Sequence, residues 1–510
     1  MKRQRAFFGL VSALVMLVAP TLAGTIDTGL QDVLELTQPD ETISTLVFLT
    51  QRVDIDALND SLTAQRATLQ ARHETVVRSL REMARGSQGT LHGYLKQLEQ
   101  AGRIERFEAF WIVNCFRVDT VPAEIELLAQ HPDVDTIYFN YPIEMITPET
   151  PEPGTASLNS DEGQSQRGPR TPEPGLYAVR APEVWAMGFT GEGVLVSTLD
   201  TGVDGSHPAL ANRWRGVADP RYVGHPGWAF FDPVTNWTFP QDSGSHGTHT
   251  MGSVCGGAPG DEVGVAPGAQ WIHAAVIDRS GLYDTCTDAL LAFQWLIDPD
   301  EDPNTNWDVP AVCSNSWGIG SWHNVPPYNT PCDESFWSYL DACEAAGIVI
   351  LFSAGNEGSD PNTLRRPADR ATDDFRTCAV GGIDGNAGGP PWPMYTSSSR
   401  GPTYCTPDGT AAIKPEISAP AVSVRSSVPG GGYSSYSGTS MASPHVNGVV
   451  ALMREACPDL TVQEVKEIMY LTALDQGTTG KDNDYGYGVV DAYEAVNMAL
   501  DWCGDSPPRA

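Results

Sequence analysis

Basic side chains are scarce in this 510-residue chain, where 31 Lys and Arg stand against 64 Asp and Glu for a formal net charge of −33. Such an excess of negative charge repels the phosphates of nucleic acids and the headgroups of anionic membranes. We therefore expect neither nucleic acid nor, once the protein is mature, a membrane among its partners. A solubilising surface is the simplest interpretation of the charge.

The N-terminus lacks an apolar run long enough for a membrane anchor. Its run at 6–18 follows Lys2, Arg3 and Arg5 and precedes a short segment, 20–23, that ends in Ala23. A spanning helix needs about 20 apolar residues, so a retained anchor is less favoured than a signal peptide. We interpret 1–23 as a signal peptide and expect secretion, to the external medium or to the periplasm.

The chain has ten cysteines but no Cys-x-x-Cys pair. In an exported protein this favours disulfides over metal thiolates. Cys115 stands alone in the N-terminal region, and the other nine begin at Cys255. Because nine is odd, at least one thiol of that group lacks a partner within it; the pairing itself stays open.

No internal repeat of solenoid type occurs, and the first part of the chain predicts a compact α+β module. Residues 44–49 indicate a strand, 54–100 are polar and helix-prone, and 107–118 indicate a second strand. A short helix is predicted after Pro122 through His131, and a third strand at 134–138. We assign this module to 24–147.

Between 148 and 175 the composition changes to Pro, Glu, Gly and Ser, which predicts an exposed, cleavable linker. Beyond it, short apolar runs at 194–199, 271–277, 309–313 and 348–352 alternate with longer amphipathic stretches. This pattern is typical of buried parallel strands with helices on both faces. We predict an α/β domain with a mostly parallel central sheet at 176–503, followed by a short tail, 504–510.

Polar residues follow two of these predicted strands directly. Asp200 directly follows the run at 194–199 and begins an Asp-Thr-Gly sequence. This tripeptide alone is weak evidence for a function, because aspartic proteases contain it too. Asn356 follows the run at 348–352, although an Asn between glycines is usually a turn residue. Sites of open α/β sheets gather at the carboxyl ends of strands, so both side chains are candidates for one site.

The sequence SHGTHTMG at 245–252 begins a predicted helix with two histidines, His246 and His249. A zinc site is disfavoured because no Glu stands beside His246 and no third ligand is near. A buried, hydrogen-bonded pair of histidines is the plain structural alternative. His246 also lies at the start of the helix, where it could face the strand ends.

Ser440 lies in GTSMASPH at 438–445, just before an apolar run. A serine at a helix start exposes its hydroxyl beside backbone N–H groups that can bind an anion. In most proteins Gly-Thr-Ser is only a turn or an N-cap. Its significance here comes from the combination with the other segments.

Together, DTGVDGSHPAL, SHGTHTMG, SAGNEG and GTSMASPHVNG resemble the four signature blocks of subtilisin-like serine proteases, in the family's order Asp, His, Ser. The resemblance extends over about 181–500 and includes YGYGVVDAYEAV at 485–496. Bacillopeptidase F-like members are most similar, through NSWG at 315–318 and KPEISAP at 414–420. The resemblance implies a secreted serine endopeptidase that is made as a self-processing precursor.

The family's catalytic roles map onto four positions. The resemblance implies that Asp200 orients His246, that His246 accepts the hydroxyl proton of Ser440, and that Ser440 attacks the peptide carbonyl. It implies further that the Asn356 amide and the Ser440 backbone N–H stabilise the oxyanion. This chemistry requires no cofactor and no catalytic metal.

The resemblance also implies how protein or peptide substrates bind. Ser316, Trp317 and Gly318 would pair with an extended peptide, although Trp317 replaces a commonly smaller aliphatic residue. Further residues would line the primary pocket with room for a large side chain: Ser353, Ala354 and Gly355. Glu357 at the rim would attract a basic one.

Residues 110–140 resemble the inhibitory propeptides of this family, which implies that the N-terminal module occupies the cleft until it is cut away. Structural calcium is common in the family, and the acidic loop 481–484 offers oxygen ligands. Ordinary solvated turns are the alternative interpretation of that loop, since no EF-hand pattern is present.

Two other functions are alternatives to proteolysis. A lipase or esterase would use a Gly-x-Ser-x-Gly elbow and the order Ser, acid, His, whereas the fifth position here is Ala442 and the order is reversed. A catalytically silent binding or structural member of the fold is the stronger rival. The presence of all three triad residue types and the Asn donor in one chain favours the enzyme.

Overall fold

The computed structural model describes residues 24–150 and 172–505, apart from 236, 259, 278–284 and 320–331. The predicted signal peptide, the centre of the predicted linker and the end of the predicted tail lie outside the described residues. Within those ranges, none of the helices combines the length and apolar character needed to cross a membrane.

The N-terminal module is an α+β unit, as predicted. Its strands are β1 Thr25–Ile26, β2 Ile43–Leu49, β3 Ile104–Phe110, β4 Cys115–Thr120, β5 Val134–Phe139 and β6 Ile143–Met145. Its helices are α1 Thr28–Leu36, α2 Ile55–Ala64, α3 Leu69–Ser87, α4 Gly89–Gln100 and α5 Pro122–Leu128. The first five strands form one sheet in the order β1-β5-β2-β4-β3, which is antiparallel except for the β1–β5 pair.

Two local predictions for this module need correction. The predicted strand at 107–118 is two strands, β3 and β4, which pair antiparallel and are joined by a reversal at 111–114. The reversal could not be predicted because its first three residues are apolar and continue the strand pattern. Asn114 is the one residue of the reversal that is typical of a turn: its φ is 53°, which Asn tolerates better than most residues. The helix predicted through His131 ends at Leu128.

The second unit contains the remaining strands and helices. Its strands are β7 Leu195–Asp200, β8 Phe230–Phe231, β9 Gly257–Ala258, β10 Asp261–Glu262, β11 Gln270–Ala275, β12 Val312–Asn315, β13 Trp317–Ile319, β14 Val349–Ser353, β15 Cys378–Ile383, β16 Ile417–Pro420, β17 Val424–Val428 and β18 Gly432–Tyr436. Its helices are α6 Pro174–Ala178, α7 Ala181–Ala186, α8 Arg215–Ala218, α9 His246–Cys255, α10 Cys286–Leu296, α11 Trp337–Ala346, α12 Thr439–Ala456, α13 Val462–Thr472 and α14 Ala492–Asp505. Short 3₁₀ turns lie at Ala211–Arg213, Pro220–Tyr222, Pro226–Trp228 and Glu334–Phe336.

Seven strands form the central sheet, in the order β16-β15-β14-β12-β7-β11-β8, and every neighbouring pair is parallel. Helices pack around it, which confirms the predicted α/β fold. All residues of β7, β12, β14 and β15 are buried, as a strand covered on both faces requires. The carboxyl ends of β7, β12 and β14 carry Asp200, Asn315 and Ser353 to one edge of the sheet.

The N-terminal module packs against α10 and α11 and shares a hydrophobic core with them. Polar contacts support this packing: the Gln294 side-chain oxygen accepts from Trp111 N at 2.8 Å, and Cys286 N donates to Tyr141 O at 2.9 Å. The last strand of the module, β6, leaves the module's own sheet and pairs antiparallel with β13 of the second unit. The two units are therefore joined by core packing and by a shared strand pair.

The predicted linker, 148–175, is in contact at both of its described ends. Glu149 forms a two-way backbone bridge with Ser437, and Pro174 begins helix α6. Backbone pairing, which needs no apolar side chains, holds the first end in place.

Two disulfides are present within the described residues. Cys332 pairs with Cys405 and Cys457 pairs with Cys503. Six cysteines are free and buried: Cys115, Cys255, Cys286, Cys313, Cys343 and Cys378. The two pairs agree with the preference for disulfides over metal thiolates, and the buried free cysteines serve as small apolar core residues. The prediction that at least one thiol beyond Cys255 is unpaired is correct.

Candidate active site

Asp200 and His246 meet at the carboxyl edge of the sheet. Nδ1 of His246, the first residue of α9, lies 2.7 Å from Asp200 Oδ1. Thr201 N donates to the same oxygen at 2.7 Å, and Thr250 Oγ1 donates to Asp200 Oδ2 at 3.2 Å. Both side chains are almost fully buried. The carboxylate is thus fixed on three sides and can orient the imidazole.

Asp242 braces this pair and escaped the sequence analysis. Its Oδ2 accepts from Thr248 N at 2.8 Å, and its Oδ1 accepts from Thr201 Oγ1 at 2.7 Å. Thr201 Oγ1 in turn accepts from Gly247 N. Burial raises the pKa of Asp242, while these donors oppose the shift. One carboxylate therefore ties the end of β7 to the first turn of α9, and its only sequence signal is its place four residues before His246.

His249 is structural. Its Nε2 lies 3.0 Å from Val424 O and 3.1 Å from Ser434 O, and its ring stacks on Tyr436. Burial lowers the pKa of His249 to about 3, so the ring is neutral at physiological pH. Across the described part of the chain, no three His, Cys, Asp or Glu side chains are arranged to hold a metal ion.

Ser440 is the second residue of α12. Its hydroxyl donates to Ile146 O, a backbone carbonyl of the N-terminal unit, at 2.8 Å. Nε2 of His246 is buried and has no hydrogen-bond partner among the described residues. The Ser440 hydroxyl thus points at a peptide carbonyl, and His246 Nε2 is free of other hydrogen bonds within the described residues, as a general base requires.

Asn356 presents its amide to the next carbonyl of the same segment. Its Oδ1 accepts from Thr439 N at 2.9 Å and from Thr439 Oγ1 at 3.0 Å, which fixes the orientation of the side chain. Its Nδ2 then donates to Thr147 O at 2.9 Å. An amide that is held in this way is a donor fixed before charge develops.

The segment 143–149 runs through the cleft past both groups. In the β6–β13 pair, Gly318 is opposite Glu144. Ile146 N continues the pairing by donating to Ser316 O at 3.1 Å, and Glu149 bridges Ser437 on the far side of Ser440. The predicted substrate-pairing residues, 316–318, are therefore occupied by the chain's own N-terminal unit.

The side chain of Trp317 turns toward the core. It is 1% exposed and contacts the rings of Phe293, Phe336 and Phe352. Its size therefore serves the packing of β13 rather than the surface of the cleft.

The predicted pocket residues lie beside the candidate nucleophile. Ser353 Oγ donates to Thr439 O at 3.0 Å, Gly355 N donates to Thr439 Oγ1 at 3.2 Å, and Ala354 is fully buried. Arg365 reaches between the two predicted walls: a Cβ on Gly318 would lie 3.3 Å from its Cβ, and one on Gly355 would lie 3.2 Å from its Cγ.

Arg365 changes two expectations about this pocket. Its guanidinium pairs with Glu357 at 2.6 Å, so the carboxylate that was expected to attract a basic side chain is already neutralised. Its aliphatic stem also occupies space that the small pocket residues were expected to leave for a large substrate side chain. Arg365 could not be identified from the sequence because it lies ten residues beyond Gly355, outside every recognised block.

The acidic loop 481–484 uses its oxygens within the fold. Asp482 Oδ1 accepts from Asp484 N at 2.9 Å and from Tyr485 N at 2.7 Å, and Asp484 pairs with Arg400. These contacts are those of an ordinary acidic turn. Calcium binding by this loop stays an untested prediction.

Comparison with known proteins identifies the family. Residues 191–488 match the subtilase family of peptidases (family S8). This match spans more than half of the chain. The chain belongs to the subtilase family. The match contains all four signature blocks and the first part of the segment at 485–496, and it confirms the resemblance.

Individual relatives of this subtilase differ in length. Bacillopeptidase F of Bacillus subtilis (strain 168) is 32% identical over 88% of this chain, but the chain spans only 30% of that protein. Serine protease AprX of the same organism is 28% identical over 79% of this chain and 83% of its own length. The solved structure of fervidolysin from Fervidobacterium pennivorans, a keratinolytic enzyme related to subtilisin, superimposes with a TM-score of 0.56 at 20% identity, over 92% of this chain and 62% of that one. At that identity the superposition supports the fold alone.

Proposed function

We propose that this subtilase is a serine endopeptidase that is made as a self-processing precursor. One observation carries the proposal: Ser440 and Asn356 contact neighbouring backbone carbonyls of the same extended segment, at Ile146 and Thr147. Asp200 holds His246 at the start of α9, and α9 packs against α12, the helix that carries Ser440. A silent binding protein has no need for a nucleophile, a held base and an oriented donor at one peptide.

The proposed reaction begins at Ser440. His246 Nε2 accepts the Ser440 proton as Oγ attacks the carbonyl carbon, and Asp200 stabilises the imidazolium that forms. The oxyanion accepts from Asn356 Nδ2 and from the Ser440 backbone N–H. His246 then gives its proton to the leaving amine, which departs and leaves an acyl-enzyme. Water, activated by the same histidine, hydrolyses the ester and restores Ser440.

The first substrate would be the precursor itself. The N-terminal module places 143–149 in the cleft, where Ile146 O and Thr147 O are in contact with Ser440 and Asn356. The cut would follow one of these two carbonyls, at the Ile146–Thr147 or the Thr147–Pro148 bond. After the cut, the module would still block the cleft through the β6–β13 pair and its packing on α10 and α11. We therefore assign 24–147 to an inhibitory propeptide that must be removed before other proteins can enter.

The remaining elements of the proposal follow from the sequence. A signal peptide at 1–23 would export the precursor, and protein or peptide substrates would be met outside the cytoplasm. The chemistry uses no cofactor, and structural calcium is part of the proposal only as a family expectation.

The test compares purified wild type with Ser440→Ala in casein hydrolysis and in labelling by a serine-directed fluorophosphonate. We expect the wild type to hydrolyse casein and to be labelled at Ser440, and the variant to do neither. If the wild type is inactive and unlabelled even after another protease has removed the N-terminal module, the silent-fold alternative takes its place.

A further inference from the structure

Two acidic side chains of the segment in the cleft have polar partners on the cleft walls. Glu144 lies before the two carbonyls that contact Ser440 and Asn356, and Glu149 lies after them. Glu144 pairs with Arg365, and Glu149 Oε1 accepts from Tyr395 OH at 2.9 Å and from Ser397 Oγ at 3.2 Å. These walls therefore bind carboxylates in addition to backbone.

Arg365 is held rigidly. Only 7% of its side chain is exposed, and its backbone N donates to Ala354 O at 3.0 Å. Its Nε and Nη2 both contact Glu357 Oε1, at 2.8 and 2.6 Å. Ser399 Oγ, at 3.1 Å from Glu357 Oε2, fixes that carboxylate in turn. The guanidinium therefore has one orientation, and its remaining nitrogen, Nη1, faces the peptide.

Nη1 is the part of Arg365 that a substrate would meet. It lies 3.0 Å from Glu144 Oε1 in an ion pair, and it makes no aligned hydrogen bond within the described residues. Because Glu357 engages only Nε and Nη2, departure of the segment would leave Nη1 facing the cleft without an anion. A substrate carboxylate at this point would restore a charge-assisted contact, whereas an uncharged side chain would cover the guanidinium without pairing it, which is unfavourable.

We propose that Arg365 is a specificity-determining residue, through which the cleft selects substrates with an acidic side chain at the position of Glu144. Tyr395 and Ser397 add a weaker preference for an acidic side chain at the position of Glu149. This inference rests on the proposed peptidase function and names its substrate class: extended peptides with acidic residues on both sides of the cut.

The test uses the purified full chain after it has processed itself, with peptides that contain residues 143–149, IEMITPE, and versions with Gln or Lys in place of Glu144. We expect kcat/KM to fall by about tenfold for Gln, which would cover the charged Nη1 without supplying an anion, and further for Lys. A Gln peptide in place of Glu149 should lose less. Equal kcat/KM for the Glu, Gln and Lys peptides would overturn the inference.

Variants then assign the preference to one side chain. Arg365→Gln should bring the Glu-to-Gln ratio close to one, whereas Arg400→Gln, which removes a partly buried arginine paired with Asp484, should keep the wild-type ratio. A wild-type ratio in Arg365→Gln would overturn the assignment. If that variant does not fold, the wild-type peptide series decides alone.

Casein hydrolysis distinguishes failure of the acidic preference from failure of the proposed peptidase function. Active enzyme that cleaves casein without distinguishing the peptides contradicts the inference and leaves the peptidase function intact. If casein and all peptides stay uncut, the proposed function fails and the inference fails with it.

Discussion

The two units of this molecule use opposite sheet designs for different tasks. The central sheet of the second unit is entirely parallel, so the carboxyl ends of its strands bring Asp200, Asn315 and Ser353 to one edge. The first unit is mainly antiparallel, and its β6 completes a strand pair outside its own sheet. The proposed catalytic residues therefore come from one unit, while the proposed inhibition would depend on how the other unit is docked.

The surface on which the N-terminal unit docks differs from the candidate active site in how far its charges are covered. At the edge of this docking surface, α3 places Arg81 beside Asp298 and His73 beside Ile297 O. Asp298 and His73 are buried, whereas 24% of the Arg81 side chain is exposed. Both members of the Asp200–His246 pair are almost fully buried. Water therefore reaches one partner of the docking ion pair and is excluded from both partners of the other pair.

Asn356→Ala should have the largest effect. It removes the oriented donor at Thr147 O while the Asp200–His246 pair stays in place. We expect kcat on casein-derived peptides to fall by about 10² to 10³, the loss observed when the equivalent donor of subtilisin itself is removed. KM should change little. A fall in affinity with kcat preserved would contradict the role of Asn356 in the transition state.

Asp242→Ala should weaken the junction between β7 and α9. It leaves Thr248 N and Thr201 Oγ1 without their acceptor, at an expected cost of about 3 kcal/mol in unfolding free energy. Urea unfolding in a Ser440→Ala background, which avoids self-digestion, measures this cost. Asp232→Ala is a control, because Asp232 also accepts from backbone N–H groups, those of Val234 and Thr235, but in the turn that follows β8. An equal loss in both variants would contradict a special bracing role for Asp242.

Arg81→Ala should act at the docking surface. Arg81 Nη2 lies 2.6 Å from Asp298 Oδ2, and burial raises the pKa of Asp298 to about 7 despite this partner. Removing the arginine leaves a buried carboxyl without its partner, so docking should weaken by about 2 kcal/mol. Hydrogen exchange of α3 in a Ser440→Ala background measures the change.

Arg85→Ala serves as the matched control for Arg81→Ala, since Arg85 is an exposed arginine in the last turn of the same helix. Faster exchange of α3 in Arg81→Ala alone supports the docking role. Equal exchange in the two variants would show that this ion pair does not hold the module.

Asp308→Asn should have the smallest effect and a defined pH dependence. Asp308 is 1% exposed, and burial, with the charge of Asp300 added, raises its pKa from 3.8 to about 7. Between pH 3.8 and about 7 the folded chain therefore binds a proton at Asp308 that the unfolded chain does not. The free energy of unfolding falls as pH rises through this range. The amide cannot ionise, so the variant should gain a few degrees of Tm at pH 8 relative to wild type.

At pH 4 the gain from Asp308→Asn should be close to zero, because the Asp308 carboxyl is then protonated in the folded chain. Thermal unfolding of both proteins in a Ser440→Ala background provides the comparison. The same gain at pH 4 and pH 8 would assign it to packing instead of ionisation.

The catalytic unit could be predicted well from the sequence because its signals are local. Each strand is a short apolar run, and each polar candidate stands directly after a strand or at a helix start, so position in the chain implies position in the site. The carboxyl edge of the central sheet carries the four predicted residues: Asp200, His246, Asn356 and Ser440.

Other features depend on tertiary contacts and could not be predicted. Asp242 and Arg365 act through partners that are brought to them by folding, and nothing in their immediate sequence marks them. The reversal at 111–114 is concealed by apolar residues that pack against the second unit. Threading of 143–149 through the cleft is a relation between two units, which no local pattern encodes.

The most direct test of the account is the N-terminal sequence and intact mass of the chain after purification, for wild type and for Ser440→Ala. The account predicts that wild type yields a fragment that begins at Thr147 or Pro148, that Ser440→Ala stays uncut at this point, and that added processed wild type cuts it there. Cleavage of Ser440→Ala on its own at the same bond, or a wild type that is never cut between Ile146 and Pro148, would contradict it.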